Sequence, residues 1–566
     1  MKKNGQSDNQ PWQQAVIYEV YIKSFNEYAK LRSNGQGDLR GVTEKLDYLK
    51  KLGVNALWIC PFYPSPQIDG GYDITNHCEV DPIAGNLQDF DELIEQAHLR
   101  SLNVMVDLIP NHTSDKHIWF QDSTKYGDKS DWYTWRDPKP DGSPPNNWAS
   151  FFSRIQHERR KKGDITVAED ELTPPVSAWT YHETRGQYYL HSFSKYQPDL
   201  NWENPNVRNA IKDIMRFWIQ RGVDGFRVDA IPYLGKDPSF RDEQLNSDYH
   251  EKDRDKETMQ WPNPYDQLQL EYSAAYMPKL TEYLAEISSV LDEYSVDLRI
   301  IYEAYLPPEK LHTIDCISPH NSSSFNFTPL DIPWQAQDYK LFLDNYYRSL
   351  PNTSVGNQVR DNHDRPRIAS PDVMGMQAAR SVAVLNLTLP GNIFIYNGEE
   401  GGFSNVSIPS ERRHDLLGFR DESRTPMLWD NNKNAGFSDV RPEHLWLPID
   451  PDYKNNNLAR QAKDSQSFLC LYSALLKIRN SHPALLNSFY TPLQTDNRQV
   501  FAFARIDKKT SKYVVSVINF SDQPQEAKIK DGFTHKQVLV TSYMDNAASF
   551  SRDKLMLRSY EAVVLE

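Results

Sequence analysis

Short apolar runs recur along most of the chain, at 15–20, 54–61, 102–110, 223–230, 298–305, 324–327, 354–360 and 392–397. Most are β-branched or aromatic and nearly continuous, the pattern of strands buried on both faces of a parallel sheet. Amphipathic stretches of helical spacing lie between them, at 39–51, 86–100, 206–220 and 277–294. Eight such strands alternating with helices predict an α/β fold, a (β/α)8 TIM barrel.

The alternation breaks after the third strand. Residues 113–205 are rich in Trp, Pro, Asp and Lys and carry a turn-forming run from Asp137 to Asn147. That is too long for a loop and predicts an inserted subdomain. A second insertion, 237–273, is highly charged. Beyond about residue 483 the pattern becomes two-residue alternation, at 499–506, 513–519, 537–542 and 560–565. This predicts an antiparallel β-sandwich. The expected organisation is a barrel over 1–112 and 206–480, a subdomain over 113–205 and a sandwich over 481–566.

In such a barrel the functional residues gather at the C-terminal ends of the strands. The third predicted strand ends in Asp107-Leu-Ile-Pro-Asn111-His112 and the fourth in Arg227-Val-Asp229. The fifth ends in Tyr302-Glu303 and the seventh in Asn362-His363-Asp364. Residues two apart on a strand share a face. Arg227 therefore stands beside Asp229 and holds it ionised, as a carboxylate nucleophile requires. The same spacing also suits a purely structural Arg–Asp pair. Three strands each bring one carboxylate to one mouth. Like charges raise at least one pKa, and an acid and a base separated in this way serve glycosidic bond cleavage. Carboxylates also cage metals, but Arg227 and two histidines compete with a cation, so no metal and no cofactor is expected.

Of the 566 residues 39% are hydrophobic, enough for a large core, and the net charge is −14. That charge argues against nucleic acid and anionic membranes as partners, since both need clustered Lys and Arg. The opening Met-Lys-Lys-Asn-Gly-Gln-Ser stretch lacks the apolar segment of a signal peptide, and no apolar run reaches the length of a membrane helix. Cys60, Cys78, Cys316 and Cys470 show no paired spacing, which argues against a zinc site or disulfide framework. A cytoplasmic enzyme with reduced thiols is expected.

Taken in order, Asp107-Leu-Ile-Pro-Asn-His112, Gly225-Phe-Arg-Val-Asp-Ala230, Glu303 after an apolar strand, and Asn362-His-Asp364 resemble the α-amylase family of glycoside hydrolases, glycoside hydrolase family 13. The resemblance spans essentially the whole chain. Asp69-Gly-Gly-Tyr72-Asp73, Gln197-Pro-Asp-Leu-Asn201, Tyr396-Asn-Gly-Glu-Glu400 and Arg424-Thr-Pro-Met427 are similar to its exo-acting α-glucosidase branch. The resemblance implies Asp229 as the nucleophile that forms a covalent β-glucosyl-enzyme. It implies Glu303 as general acid and then base, and Asp364 as the clamp on the sugar hydroxyls. Arg227 would orient Asp229, while Asp69, Tyr72, His112, His363 and Arg424 would form the subsite for the terminal glucose. The two reacting carboxyls should stand ~5–5.5 Å apart, giving retention. Asp107 and Asn111 are read as structural, and Asp199 and Asn201 as pins for the inserted subdomain.

Two departures stand out. Many relatives carry a calcium loop of the form Asp-x-Asn-Gly-Asp-Gly-x-Gly-Asp. Here the aligned stretch runs from Lys30 through Arg32 and Asn34 to Asp38, and two cations replace oxygen ligands. Leu428 also stands where the family usually has Gln.

All members of the branch share the first chemical step, so linkage and acceptor choice lie elsewhere. Ala230, directly after Asp229, is similar to α-1,4-acting relatives, whereas α-1,6-acting ones often carry Val. The run Asp364-Arg-Pro-Arg-Ile-Ala is similar to hydrolases and lacks the Arg-Leu-Asp-Arg-Asp loop of isomaltulose-forming isomerases. The expectation is a hydrolase of short oligosaccharides or disaccharides. A sucrose or maltose isomerase and a transglucosylase are the alternatives, and a non-catalytic binding relative a remote third.

Overall fold

The computed structural model describes residues 12–28, 34–152, 177–246, 268–317, 322–351, 356–486, 488–530, 537–545, 549–551 and 554–566. Strands β1 (Val16–Val20), β2 (Ala56–Ile59) and β3 (Asn103–Leu108) open the barrel. Three short strands, β4 (Trp135–Arg136), β5 (Trp179–His182) and β6 (Gln187–Leu190), form a separate antiparallel sheet. The barrel resumes with β7 (Gly225–Val228), β8 (Arg299–Tyr302), β9 (Ser322–Asn326), β10 (Asn357–Gln358) and β11 (Asn392–Tyr396). Its eight strands are parallel and closed, because β1 pairs with both β2 and β11.

Strands β1, β2, β7, β8 and β11 are buried along their whole length. Inward side chains of the barrel strands, including Ile17, Trp58, Met105, Ile301, Phe325 and Phe394, pack on one another, while the outward ones meet the surrounding helices. This two-sided burial explains why the apolar runs are continuous. The strand predicted over 354–360 is only Asn357–Gln358, and 352–355 lie outside the described residues. The helix predicted over 39–51 is two, Leu39–Glu44 and Leu46–Leu52, joined at Lys45.

Local chemistry sets the element that carries the site. The helix Pro205–Gln220 starts with the Asn204 side chain accepting from Asn206 N and with proline in its first turn. It buries Val207, Ile211, Met215 and Trp218. After it, β7 passes so close to β8 that a Cβ on Gly225 would sit 2.6 Å from the Arg299 carbonyl oxygen, so only glycine fits. The parallel register sets Asp107 opposite Arg227 and Val228 opposite Tyr302. The ends of β3, β7 and β8 are thereby level.

Beyond the barrel come β12 (Tyr490–Pro492), β13 (Val500–Ile506), β14 (Tyr513–Asn519), β15 (Gln525–Ala527), β16 (Val538–Thr541), β17 (Ser549–Ser551), β18 (Lys554–Leu557) and β19 (Ala562–Leu565). They form a five-stranded antiparallel sheet and a three-stranded one. Alternation decides the two faces. Val500, Ala502, Val515 and Val563 pack on Ala527, Leu555 and Leu557 of the smaller sheet. Phe501, Phe503, Val514 and Val564 join the core shared with the barrel. Among the described residues no helix is long and apolar enough to cross a membrane.

Candidate active site

A pocket at the barrel rim is lined by Asp69, Tyr72, His112, Asp229, Glu303, Asp364 and Arg420, together with Phe151, Phe152, Phe193, Ala230, Pro232, Tyr233, Tyr305 and Leu417. All three carboxylates singled out in the sequence meet there. Asp69, Tyr72 and His112 line it too, whereas Arg227, His363 and Arg424 stand behind it and touch the residues that do.

Arg227 is the hub. Its Nη1 donates to Asp229 Oδ1 and to Asp107 Oδ1, each at 2.6 Å, and its Nη2 lies 2.8 Å from Glu303 Oε1. Asp107 also accepts from the Trp58 indole N–H at 2.8 Å. Directly after Asp229 the chain turns sharply: Ala230 has φ 48° and ψ 39°, a left-handed conformation uncommon for non-glycine residues. That turn aims the Ala230 N–H at Glu303 Oε2, 2.9 Å away.

One guanidinium thus serves three buried carboxyls, and the pKa values follow. Burial raises Asp229 above its ordinary range; Arg227 opposes this, and Glu303 and Asp107 add to it. Asp107 is pushed up to about 6, again chiefly by burial. Asp229 and Asp107 therefore both hold their protons to higher pH than an ordinary aspartate. Asp364 goes the other way. Burial works to raise it, but His363, Arg420, Arg424 and Arg227 outweigh that and hold it below the ordinary carboxylate range.

The partners of Asp364 explain this shift. Its Oδ1 accepts from Arg424 Nη2 at 2.9 Å and from Arg420 Nη1 at 3.1 Å, and Oδ2 lies 3.3 Å from His363 Nε2. Arg420 Nη2 reaches Asp69 Oδ1 at 2.6 Å. The other Asp69 oxygen accepts from Gln197 Nε2 at 2.9 Å, and the same amide lies 3.1 Å from His112 Nε2. The Tyr72 ring stacks on His363, with centroids 5.5 Å apart. Asp199 is held by Asn111, Ser192 and Lys236, tying the inserted segment to the barrel.

Sequence reasoning overlooked three of these residues. Arg420 sits four positions before Arg424, and that second arginine was its only signal. Gln197 belongs to the motif at 197–201, where the sequence assigns it no role. Glu19 was visible as an acid inside the apolar run at 15–20; it contacts His363 from below. Leu428 is buried in the main core and does not line the pocket.

The stretch compared with calcium loops is described only from residue 34 onward. Lys30 and Arg32 lie outside the described residues. Asp38 accepts from Gly41 N at 2.8 Å and Tyr28 N at 3.1 Å, and Asn34 Oδ1 from Gln36 N at 3.0 Å.

Comparison with known proteins adds a family. The family model described as alpha amylase, catalytic domain, matches residues 19–488. The oligo-1,6-glucosidase of Heyndrickxia coagulans is 32% identical over 98% of each chain. The alpha-glucosidase of Apis mellifera is 33% identical over 91% of this chain and 86% of its own. Among solved structures, the alpha-glucosyl transfer enzyme XgtA superposes with a TM-score of 0.85 at 30% identity, covering 98% of this chain and 99% of that one.

Proposed function

The chain belongs to the α-amylase family of glycoside hydrolases, and from that membership we propose that it is a retaining α-glucosidase removing terminal α-linked glucose from disaccharides and short oligosaccharides. The observation that carries this reading is the convergence of Asp229, Glu303 and Asp364 on one pocket, with Arg227 bonded to two of them.

Asp229 attacks the anomeric carbon while Glu303 protonates the departing oxygen; water activated by Glu303 then releases glucose. The family pattern assigns the transferred proton to Glu303. Both Glu303 oxygens have partners within the site, Arg227 and the Ala230 N–H. Proton delivery requires it to leave one of them as the sugar enters. Asp364, ionised and held by two arginines, accepts from sugar hydroxyls and favours the cationic transition state.

Ala230 supports α-1,4 preference, because its small side chain lines the pocket beside Asp229. The relatives include enzymes named for α-1,6 bonds, so linkage is the finer part of the proposal. Hydrolysis is favoured over isomerisation because Arg365 and Arg367, which follow Asp364, are bonded to Asp331 and to the Ser423 and Asn397 carbonyls. The aromatic wall of Phe151, Phe152, Phe193 and Tyr233 offers stacking faces to a leaving or accepting sugar, which supports transglucosylation as a side activity.

The test is a product panel with maltose, isomaltose, sucrose, trehalose and p-nitrophenyl α-glucoside, analysed by chromatography and by NMR of the first anomer released. α-Glucose appearing first from p-nitrophenyl α-glucoside, and glucose release from maltose, are expected. No glucose from any substrate would sink the reading, and a new disaccharide as main product would move it to an isomerase.

A further inference from the structure

Glu19 lies in β1 with no solvent exposure. Its Oε1 is 2.7 Å from His363 Nδ1 and accepts from the His363 backbone N–H at 3.2 Å. The Cys60 thiol is 3.8 Å from the same oxygen. Oε2 has no hydrogen-bond partner among the described residues. No Lys or Arg contacts the carboxyl there either, and an ionised carboxylate in that setting is strongly disfavoured.

The opposite edge of the ring has its own demand. Nε2 faces Asp364 Oδ2 at 3.3 Å and the Tyr72 hydroxyl at 2.9 Å. An ionised carboxylate only accepts, so that edge calls for an Nε2–H. A neutral imidazole carries one N–H. If Nε2 holds it, Nδ1 is a bare acceptor, and the 2.7 Å contact needs a proton from Glu19. If the proton moves to Nδ1, the pair becomes an ion pair and Nε2–H remains. Two states would remove the donor by placing the ring's one N–H on Nδ1: a neutral Glu19 with its O–H on Oε2, which buries that proton without an acceptor among the described residues, and an ionised Glu19. The latter leaves a net charge buried within reach of Asp107 and Asp364.

We propose that Glu19 is a positioning residue of this site: it holds a proton between its carboxyl and His363 Nδ1, and so locks His363 as an Nε2–H donor toward the bound sugar and Asp364. The proposal rests on the active-site reading given above. Tyr72 and Tyr21 stack on the imidazole, with centroids at 5.5 and 5.8 Å, and hold the ring in place. The charges and titratable groups around the pair are Tyr21 after β1, Cys60 and Tyr72 after β2, Asp107 on β3, Arg227 on β7, Asp364, Tyr396 on β11, and Arg420 and Arg424 beyond it. Burial raises Glu19 and lowers His363 to about 3, which agrees with one shared proton and no net charge.

The experiment compares wild type, Glu19→Gln and Glu19→Met for kcat and KM on p-nitrophenyl α-glucoside, with Tm measured for each. Gln keeps an N–H for Nδ1, whereas Met keeps the volume without a donor. Glu19→Met should lower kcat/KM by about 10- to 100-fold while Glu19→Gln stays within about threefold of wild type, the scale for a residue that orients another. Glu19→Gln should also leave the pH profile unchanged, since the Glu19–His363 pair keeps its one proton and no net charge throughout. Wild-type kinetics in Glu19→Met would overturn the proposal, as would a Glu19→Gln variant no better than Met. If Glu19→Met fails to fold, the protonation of His363 Nε2 in the wild type decides in its place. The tautomer is read apart from activity in the ¹⁵N shifts of His363, assigned with His363→Gln. A bare Nε2 at neutral pH would overturn the proposal even if the enzyme is active, and a protonated Nε2 would support it even if the glucosidase reading fails.

Discussion

Arg420 Nη2 lies 2.6 Å from Asp69 Oδ1 across 351 positions of sequence, and Arg420 Nη1 reaches Asp364 as well. The arginine thus ties the loop after β2 to the loop after β10. Glucose hydroxyls bound at Asp69 or Asp364 would share these charged hydrogen bonds. Arg420→Ala is expected to lower kcat/KM for maltose by about 10- to 100-fold, the loss of charged hydrogen bonds worth ~1.5–3 kcal/mol. Arg420→Lys should recover only part of this, because one ammonium does not span two carboxylates. Steady-state kinetics check it, and wild-type kinetics in Arg420→Ala would contradict it.

Asp229→Asn should abolish turnover, with kcat down by roughly four orders of magnitude or more, while far-UV circular dichroism stays that of wild type. Arg227 keeps Asp107 and Glu303 as partners in that variant. Appreciable remaining hydrolysis would assign the nucleophile elsewhere.

The acid limb of kcat/KM should lie above the ordinary aspartate value of 3.8, because Asp229 must be ionised to attack and its pKa is raised. Asp107→Asn removes a negative neighbour and should move that limb to lower pH. A limb that stays put or rises in Asp107→Asn would rule this coupling out.

Asp107 also predicts a stability slope. Its folded pKa of about 6 exceeds the ordinary 3.8. Its contribution is therefore complete below pH ~3.8 and is lost as pH rises to about 6, a change on the order of 3 kcal/mol. Denaturant unfolding between pH 3.5 and 7 should show this slope in wild type, and Asp107→Asn should flatten it.

Ala230→Val places a β-branched residue at φ 48°, so stability should fall by about 1–3 kcal/mol. The added methyls enter the pocket beside Asp229, and the ratio of maltose to isomaltose turnover should drop. Thermal melting and the two rates measure both effects. An unchanged ratio would remove Ala230 as the basis for linkage preference.

The barrel and the C-terminal sheets were legible along the chain because burial is written in local periods. Continuous apolar runs mark strands covered on both sides, and alternation at 499–506 or 513–519 marks a sheet with two distinct faces. Asp229, Glu303 and Asp364 were legible for the same reason, as carboxylates at the ends of such runs. Their environments were not. That Arg227 divides itself among three carboxyls follows from the register of β3, β7 and β8. That Arg420 meets Asp69, Gln197 bridges Asp69 to His112, and Glu19 supports His363 follows from how distant loops and strands pack around the rim. Hydrogen bonds between residues hundreds of positions apart leave no periodic trace in sequence, whereas the strands that bring them together do.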